Sequence, residues 1–231
     1  MRYKNLVLIG SSHISIDSVN MVKKTIEKEK PGVVAVELDP DRLVSLFHKE
    51  KKGFGFKGVG IKGFLFALIA HWAEQAMGKT VNVEPGTEMK TAILEAKKQN
   101  AKVALIDQHI KITLKRFSQT ITWKEKWNFV ADIFLGIFAP KRQMKEMGVK
   151  LDDLSKVPSK KTIAKLLLLV KRRYPNVYNV LVHERNVIMA RNLYSLMKHH
   201  EDETIVAIVG AGHEDEIIKL IKENYINRQT K

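Results

Sequence analysis

The sequence predicts an α/β fold, with a mostly parallel central sheet flanked by helices and a helical insertion. Three observations predict it. Four short apolar runs rich in Val and Ile are spaced along the chain, helical periodicity fills the intervals between them, and each run ends abruptly in residues such as Gly, Glu or Asp. Continuous apolar runs of this length suit strands covered on both faces, and strands alternating with helices point to βαβ units.

Residues 6–9 (LVLI) form the first expected strand and lead straight into Gly10-Ser11-Ser12-His13. Ser15 is the expected N-cap of a helix that carries Ile16, Val19, Val22 and Ile26 before Pro31-Gly32 stops it. The second strand, residues 33–36, ends in Glu37-Leu38-Asp39, and Asp39-Pro40 reads as the N-cap and first residue of the next helix. Residues 50–62 are rich in Lys and Gly and read as a mobile loop. Residues 63–78 are apolar but contain His71, Glu74 and Gln75, and fall short of the roughly 20 residues a bilayer helix needs. An amphipathic helix over a pocket or surface is the expectation there. Gly86-Thr87 opens another helix, with Met89, Ala92, Ile93 and Ala96 on one face.

The third strand, residues 103–106, runs into Asp107-Gln108-His109. Residues 113–174 are helical in pattern and without strands, and read as an insertion before the fourth strand. Within them 160–173 reads as a buried helix with charged ends. A helix over about 179–199 follows. The fourth strand, residues 205–209, then leads into Gly210-Ala211-Gly212-His213 and a last helix over about 214–224. The whole of 1–231 is read as one domain.

Composition narrows the function classes. With no cysteine, the chain has no disulfide, thiolate metal site or cysteine nucleophile. The 40 Lys and Arg against 25 Asp and Glu give a net charge of +15, which favours anionic partners. The lysines are scattered and no basic-aromatic cluster for stacking bases is evident, so solvated lysine faces are the preferred explanation. The N-terminus lacks a signal-peptide layout. A cytoplasmic protein, soluble or peripheral to a membrane and without an integral span, is expected.

The chemistry lies where the strands end. In an open parallel sheet the carboxyl ends share one edge, and ligands bind there. Four strands thus deliver His13, Glu37, Asp107 and His213 to one rim. A single Gly-x-x-His means little; two, each directly after an apolar strand, mark a site suited to metal binding or acid/base work. Glu37 continues an apolar run, so it should be buried and in need of a partner. Asp39 reads as structural, Arg42 lies a turn further on, and His109 could face the same way as Asp107. Glu88 has an ordinary explanation in the first turn of its helix. Glu184 and Arg185 have one as surface residues of theirs. Gly210-x-Gly212 lacks the third glycine of a dinucleotide fingerprint, and residues 53–60 lack the Gly-Lys-Ser/Thr of a phosphate loop.

At these residues the sequence resembles the TraB/PrgY (pheromone-shutdown) family, within a superfamily that includes Tiki, ChaN-like and erythromycin-esterase-like proteins. The matching pieces are Gly10 to His13, Pro31 to Asp39 with Arg42, Glu84 to Met89, Ala104 to Asp107 with Thr113 to Arg116, Glu184-Arg185 and Val209 to His213. The resemblance implies an α/β fold with a helical insertion and a site using both Gly-x-x-His turns, Glu37 and Arg42, with Glu88, Asp107, Arg116, Glu184 and Arg185 as further positions. Asn186 and His109 stand where relatives usually carry acidic residues. Many relatives have membrane helices after the second Gly-x-x-His, a point at which this sequence is close to its last residue.

The leading expectation is a metal-dependent hydrolase of peptides. His13, His213 and Glu37 would hold a divalent ion (Mn, Co or Zn), Asp107 or Glu184 would act as base, and Arg42, Arg185 or Arg116 would stabilise an oxyanion. Arg116 and Glu88 are the expected substrate-binding positions. The expected partners are a peptide substrate and a second copy of the chain. The alternative is a non-catalytic scaffold whose basic surface takes nucleic acid or an anionic membrane. Metal-independent hydrolysis of an ester by His and Glu is a third reading.

Overall fold

The computed structural model describes residues 1–11, 16–48, 86–138 and 160–229. The expected loop at 50–62, the apolar stretch 63–78, Ser15 and His13 lie outside these residues. Five strands are described: β1 (Arg2–Tyr3), β2 (Leu6–Ser11), β3 (Val33–Val36), β4 (Lys102–Leu105) and β5 (Ile205–Gly210). They form one sheet in the order β1-β2-β5-β3-β4. β1 is antiparallel to β2 and all other pairings are parallel. Two residues with no apolar run gave β1 no signal in the sequence.

The last strand in sequence is central in space. β5 bonds to β2 on one side and β3 on the other, and all six of its residues are buried. β4 is an edge strand. It starts one residue earlier than its apolar run suggests, and Val103 is 36% exposed, so the expectation of a fully covered strand fails there. An edge strand has a neighbour on one side only.

Helices cover both faces, because successive strand residues point to opposite sides of a sheet. Leu6, Leu8, Ile205 and Ala207 pack against Met189, Leu193 and Met197 of α8 (Glu184–His199) and Ile217 and Ile221 of α9 (Glu214–Gln229). Val7, Ile9, Val206 and Ile208 pack against Val22 and Ile26 of α1 (Ile16–Glu29) and Met89, Ala92 and Ile93 of α3 (Thr87–Lys98). Each fully buried aliphatic side chain contributes about 1.5–3 kcal/mol by leaving water.

Between β3 and α3, helix α2 (Pro40–Phe47) starts as Asp39-Pro40 anticipates: the Asp39 carboxylate accepts the amides of Asp41 at 3.0 Å and Arg42 at 3.3 Å. Between β4 and α8 come α4 (Ile110–Thr120), α5 (Trp123–Phe138), α6 (Lys160–Arg173), α7 (Pro175–Tyr178) and a π turn (Asn179–His183). Helix α5 opens on a capping box. Glu125 Oε2 accepts the Thr122 amide at 3.0 Å while the Thr122 hydroxyl accepts the Glu125 amide at 3.3 Å. The other Glu125 oxygen accepts the amides of Asn176 at 2.7 Å and Val177 at 3.3 Å, tying α7 to α5. Helix α6 is not the buried helix its apolar centre suggests: over 161–173 no residue is fully buried and Leu168 is 53% exposed. No helix among the described residues is long and apolar enough to cross a membrane.

Candidate functional site

Sheet register determines which strand ends meet. Gly10 lies opposite Val209 and Ser11 opposite Gly210, so the strands that lead into the two Gly-x-x-His segments are adjacent and almost in step. At Gly10 a Cβ would fall 2.5 Å from Glu214 Oε2, so a side chain there would displace that carboxylate. His13 itself is not among the described residues.

Glu37 is the first residue after β3. Its amide donates to Ile208 O at 3.1 Å, which extends the ladder toward β5 and turns the carboxylate into the rim. Oε2 accepts the Gly210 amide at 2.6 Å. Oε1 accepts from Arg185 Nη2 and stands 3.5 Å from His213 Nε2. Asp107, after β4, accepts from Arg185 Nη2 at 2.6 Å, Arg185 Nε at 3.1 Å, Arg42 Nη2 and its neighbour's amide at 2.6 Å. Arg42 in turn donates through Nε to Asp39 at 2.5 Å. The result is a continuous run, Asp39–Arg42–Asp107–Arg185–Glu37–His213, gathered from strands β3, β4 and β5 and helices α2 and α8.

Burial by itself would raise the pKa of Glu37, but His213 and Arg185 outweigh it and hold the carboxyl below its ordinary value. Asp107 is likewise lowered: the hydrogen bond and charge of Arg185, with Arg42, overcome its burial. Asp39 is lowered against its burial by Arg42. Burial pulls Arg185 down, yet Glu37 and Asp107 raise it overall, so it stays charged. Three carboxylates therefore face two guanidiniums, and this run of residues is one positive charge short when His213 is neutral.

The other side of His213 is anchored as firmly. Nδ1 lies 2.6 Å from Asn186 Oδ1, Asn186 Nδ2 donates to Glu216 Oε2 at 2.6 Å, and His183 Nδ1 lies 2.6 Å from Glu216 Oε1. Glu216 is held below its ordinary pKa, because His183 and Asn186 more than offset its burial. An ionised carboxylate only accepts, so it takes the amide NH2 of Asn186 and turns the amide oxygen to His213. The Nδ1 of His213 then carries a proton, and its Nε2 faces Glu37. Such an outer partner is what orients a metal-ligating or proton-accepting imidazole. The gap of 3.5 Å to Glu37 exceeds a hydrogen bond. It is close to the spacing of two ligands on one tetrahedral ion, about 3.4 Å for bonds near 2.1 Å.

The remaining expected residues are spread more widely. Arg116 and Glu184 pair with each other at 2.6 Å, both part exposed, with Asn179 Nδ2 3.1 Å from the same carboxylate. Glu88 is buried in the first turn of α3, on the opposite face of the sheet from α8. Arg185, a surface residue by helix pattern alone and a site position by the family resemblance, is the hub of the buried charges, with its side chain 16% exposed. His109 caps α4, its Nδ1 accepting the Lys111 amide at 3.3 Å. Donor atoms of Asp39, Asp41 and His109 lie within 4.8 Å of one another, a group able to hold a metal. Asp39 is already committed to Arg42 and the α2 cap, however, and Lys111 Nζ stands 3.0 Å from Asp41, so a cation competes there with fixed positive charge. Sequence reasoning missed Glu216 and His183, whose only signal was that Glu216 follows the second histidine by three residues on a helix.

The TraB/PrgY/gumN family profile matches residues 3–225. An uncharacterised protein of Methanocaldococcus jannaschii is 35% identical over 224 residues, covering 95% of this chain and 54% of its own length. TraB domain-containing proteins of Homo sapiens and Mus musculus are 23% and 24% identical, each over 89% of this chain and 60% of their own length. The chain thus spans a little over half the length of these relatives.

Proposed function

The chain belongs to the TraB/PrgY/gumN family, and from the site it carries we propose that it is a metal-dependent hydrolase of peptides. The observation that carries the proposal is the facing pair His213 Nε2 and Glu37 Oε1, 3.5 Å apart, in a run of residues whose anions outnumber its fixed cations. An imidazole nitrogen with a carboxylate oxygen suits Zn²⁺, Mn²⁺ or Co²⁺. His213 and Glu37 would hold the ion, with His13 as the third expected donor. A divalent ion bound there supplies Lewis acidity, polarising a carbonyl and lowering the pKa of water toward neutrality.

The other residues divide the work by their surroundings. Asn186 fixes the ring of His213, and Arg185 keeps Glu37 ionised. Asp107, held low by two guanidiniums, is a weak base, so its role is to position Arg42 and Arg185. Glu184, part exposed, is then the carboxylate assigned to proton transfer. Arg42, 31% exposed, is the cluster's more accessible guanidinium and takes the developing negative charge of the substrate. Peptides are the substrate class that the family resemblance implies.

A proton on His213 would also complete the charge count. On that second reading the chain is a non-catalytic binding protein, and its metal content separates the two. Purified protein should carry a divalent metal, lose hydrolysis of a peptide library with a chelator and regain it on reloading. His213→Ala should lose both metal and activity. Asn186→Ala, which removes the outer partner, should weaken metal binding by about tenfold or more. Full metal content and activity in His213→Ala would sink the proposal.

A further inference from the structure

We propose that helix α5 docks on an anionic lipid surface through Trp123, Trp127 and Val130. The helix has two unlike sides. Glu125 is buried and accepts amides from α7, Asp132 pairs with Arg173, and Phe129 lies edge-on to Tyr174, so this side is fixed against α6 and α7. At 100° per residue, Trp123, Trp127 and Val130 fall on the opposite side. They are 75%, 69% and 39% exposed.

Two indoles one helical turn apart, left in water beside Val130, form an apolar stripe whose exposure is costly. Lys124 and Lys126 flank it, one on each side of the wheel, and Lys126 Nζ stands 4.4 Å over the Trp123 ring. Tryptophan with an apolar body and a polar N–H suits the headgroup level of a bilayer, and flanking lysines reach lipid phosphates while their stems cover apolar surface. A second copy of the chain fits worse. It would bring the same lysines together between molecules that each carry a net charge of +15. The helix lies on the surface and does not cross it, and it needs no metal at the rim.

The test uses the full chain with vesicles of phosphatidylcholine, with and without phosphatidylserine. Co-sedimentation should require the anionic lipid and fall steeply with salt. Brominated lipid should quench tryptophan emission. Trp123→Ala with Trp127→Ala should lower partitioning by at least about tenfold. Lys124→Glu or Lys126→Glu should lower the anionic-lipid preference by about fivefold each. Trp72 remains in every variant, so only quenching lost with Trp123 and Trp127 counts. All four side chains lie outside the packed side of α5, so an unchanged melting temperature should accompany each loss. Equal binding by wild type and the double tryptophan variant, or none at low salt, overturns the proposal. So does a concentration-dependent dimer that the tryptophan variant breaks.

Discussion

At Arg185 one guanidinium serves two carboxylates that the sheet has taken out of water, Glu37 at 5% and Asp107 at 9% exposure. Removing it strands both anions. Breaking a buried pair by removing one partner costs about 3–5 kcal/mol, far more than a surface ion pair contributes. Arg185→Ala should therefore destabilise the fold by about that amount in a urea titration. Arg185→Lys keeps the charge but cannot reach both carboxylates with a planar fork, so it should recover only part. If Arg185→Ala melts like wild type, the hub assignment is wrong. Helix pattern alone reads Arg185 as a surface residue and only the family resemblance marked it, because its partners lie 148 and 78 residues away.

At the scale of elements, the π turn of 179–183 and helix α8 bring Arg185, Asn186 and His183 onto the rim, while α9 brings Glu216 behind them. Glu125 does comparable work in the helical region. It completes the capping box of α5 and satisfies two amides of α7, so one side chain fixes how these helices meet. Glu125→Ala should cost about 2–3 kcal/mol, as loss of a cap plus buried donors left without a partner. Thr122→Ala, which removes only the local half of the box, should cost about 1 kcal/mol. Calorimetric melts of the two variants would check the ranking; equal losses would mean that the link to α7 contributes nothing. The Thr122-x-x-Glu125 spacing is a local capping-box signature, not singled out in the sequence above, and its second role leaves no local trace, because Asn176 lies 51 residues on.

For the whole molecule, the lowered carboxyl pKa values make stability depend on pH. Glu37, Asp107 and Glu216 all titrate below their ordinary values in the folded state. Their contribution is complete above the ordinary carboxylate range and is lost as pH falls through the lowered folded values. The melting temperature should therefore drop on acidification from about pH 5 to pH 2, and Glu37→Gln should flatten that slope. A wild-type melting temperature that stays level over this range would contradict the burial of these charges. The net charge of +15 acts in the same direction, since protonating carboxylates adds to self-repulsion.

Local pattern alone determined the α/β class, the strands at β2, β3 and β5 and the cap at Asp39, because apolar periodicity and turn chemistry act over a few residues. It also singled out the strand-end residues Glu37, Asp107 and His213. Only the tertiary structure decided that β5 runs between β2 and β3, and with it that His213 meets Glu37. Hydrogen bonds between strands are alike whatever their order, so a sequence does not announce who pairs with whom. Arg185, Asn186 and Glu216 acquire their meaning from that order, since a charge or amide gains a role only from what it meets after the chain has folded.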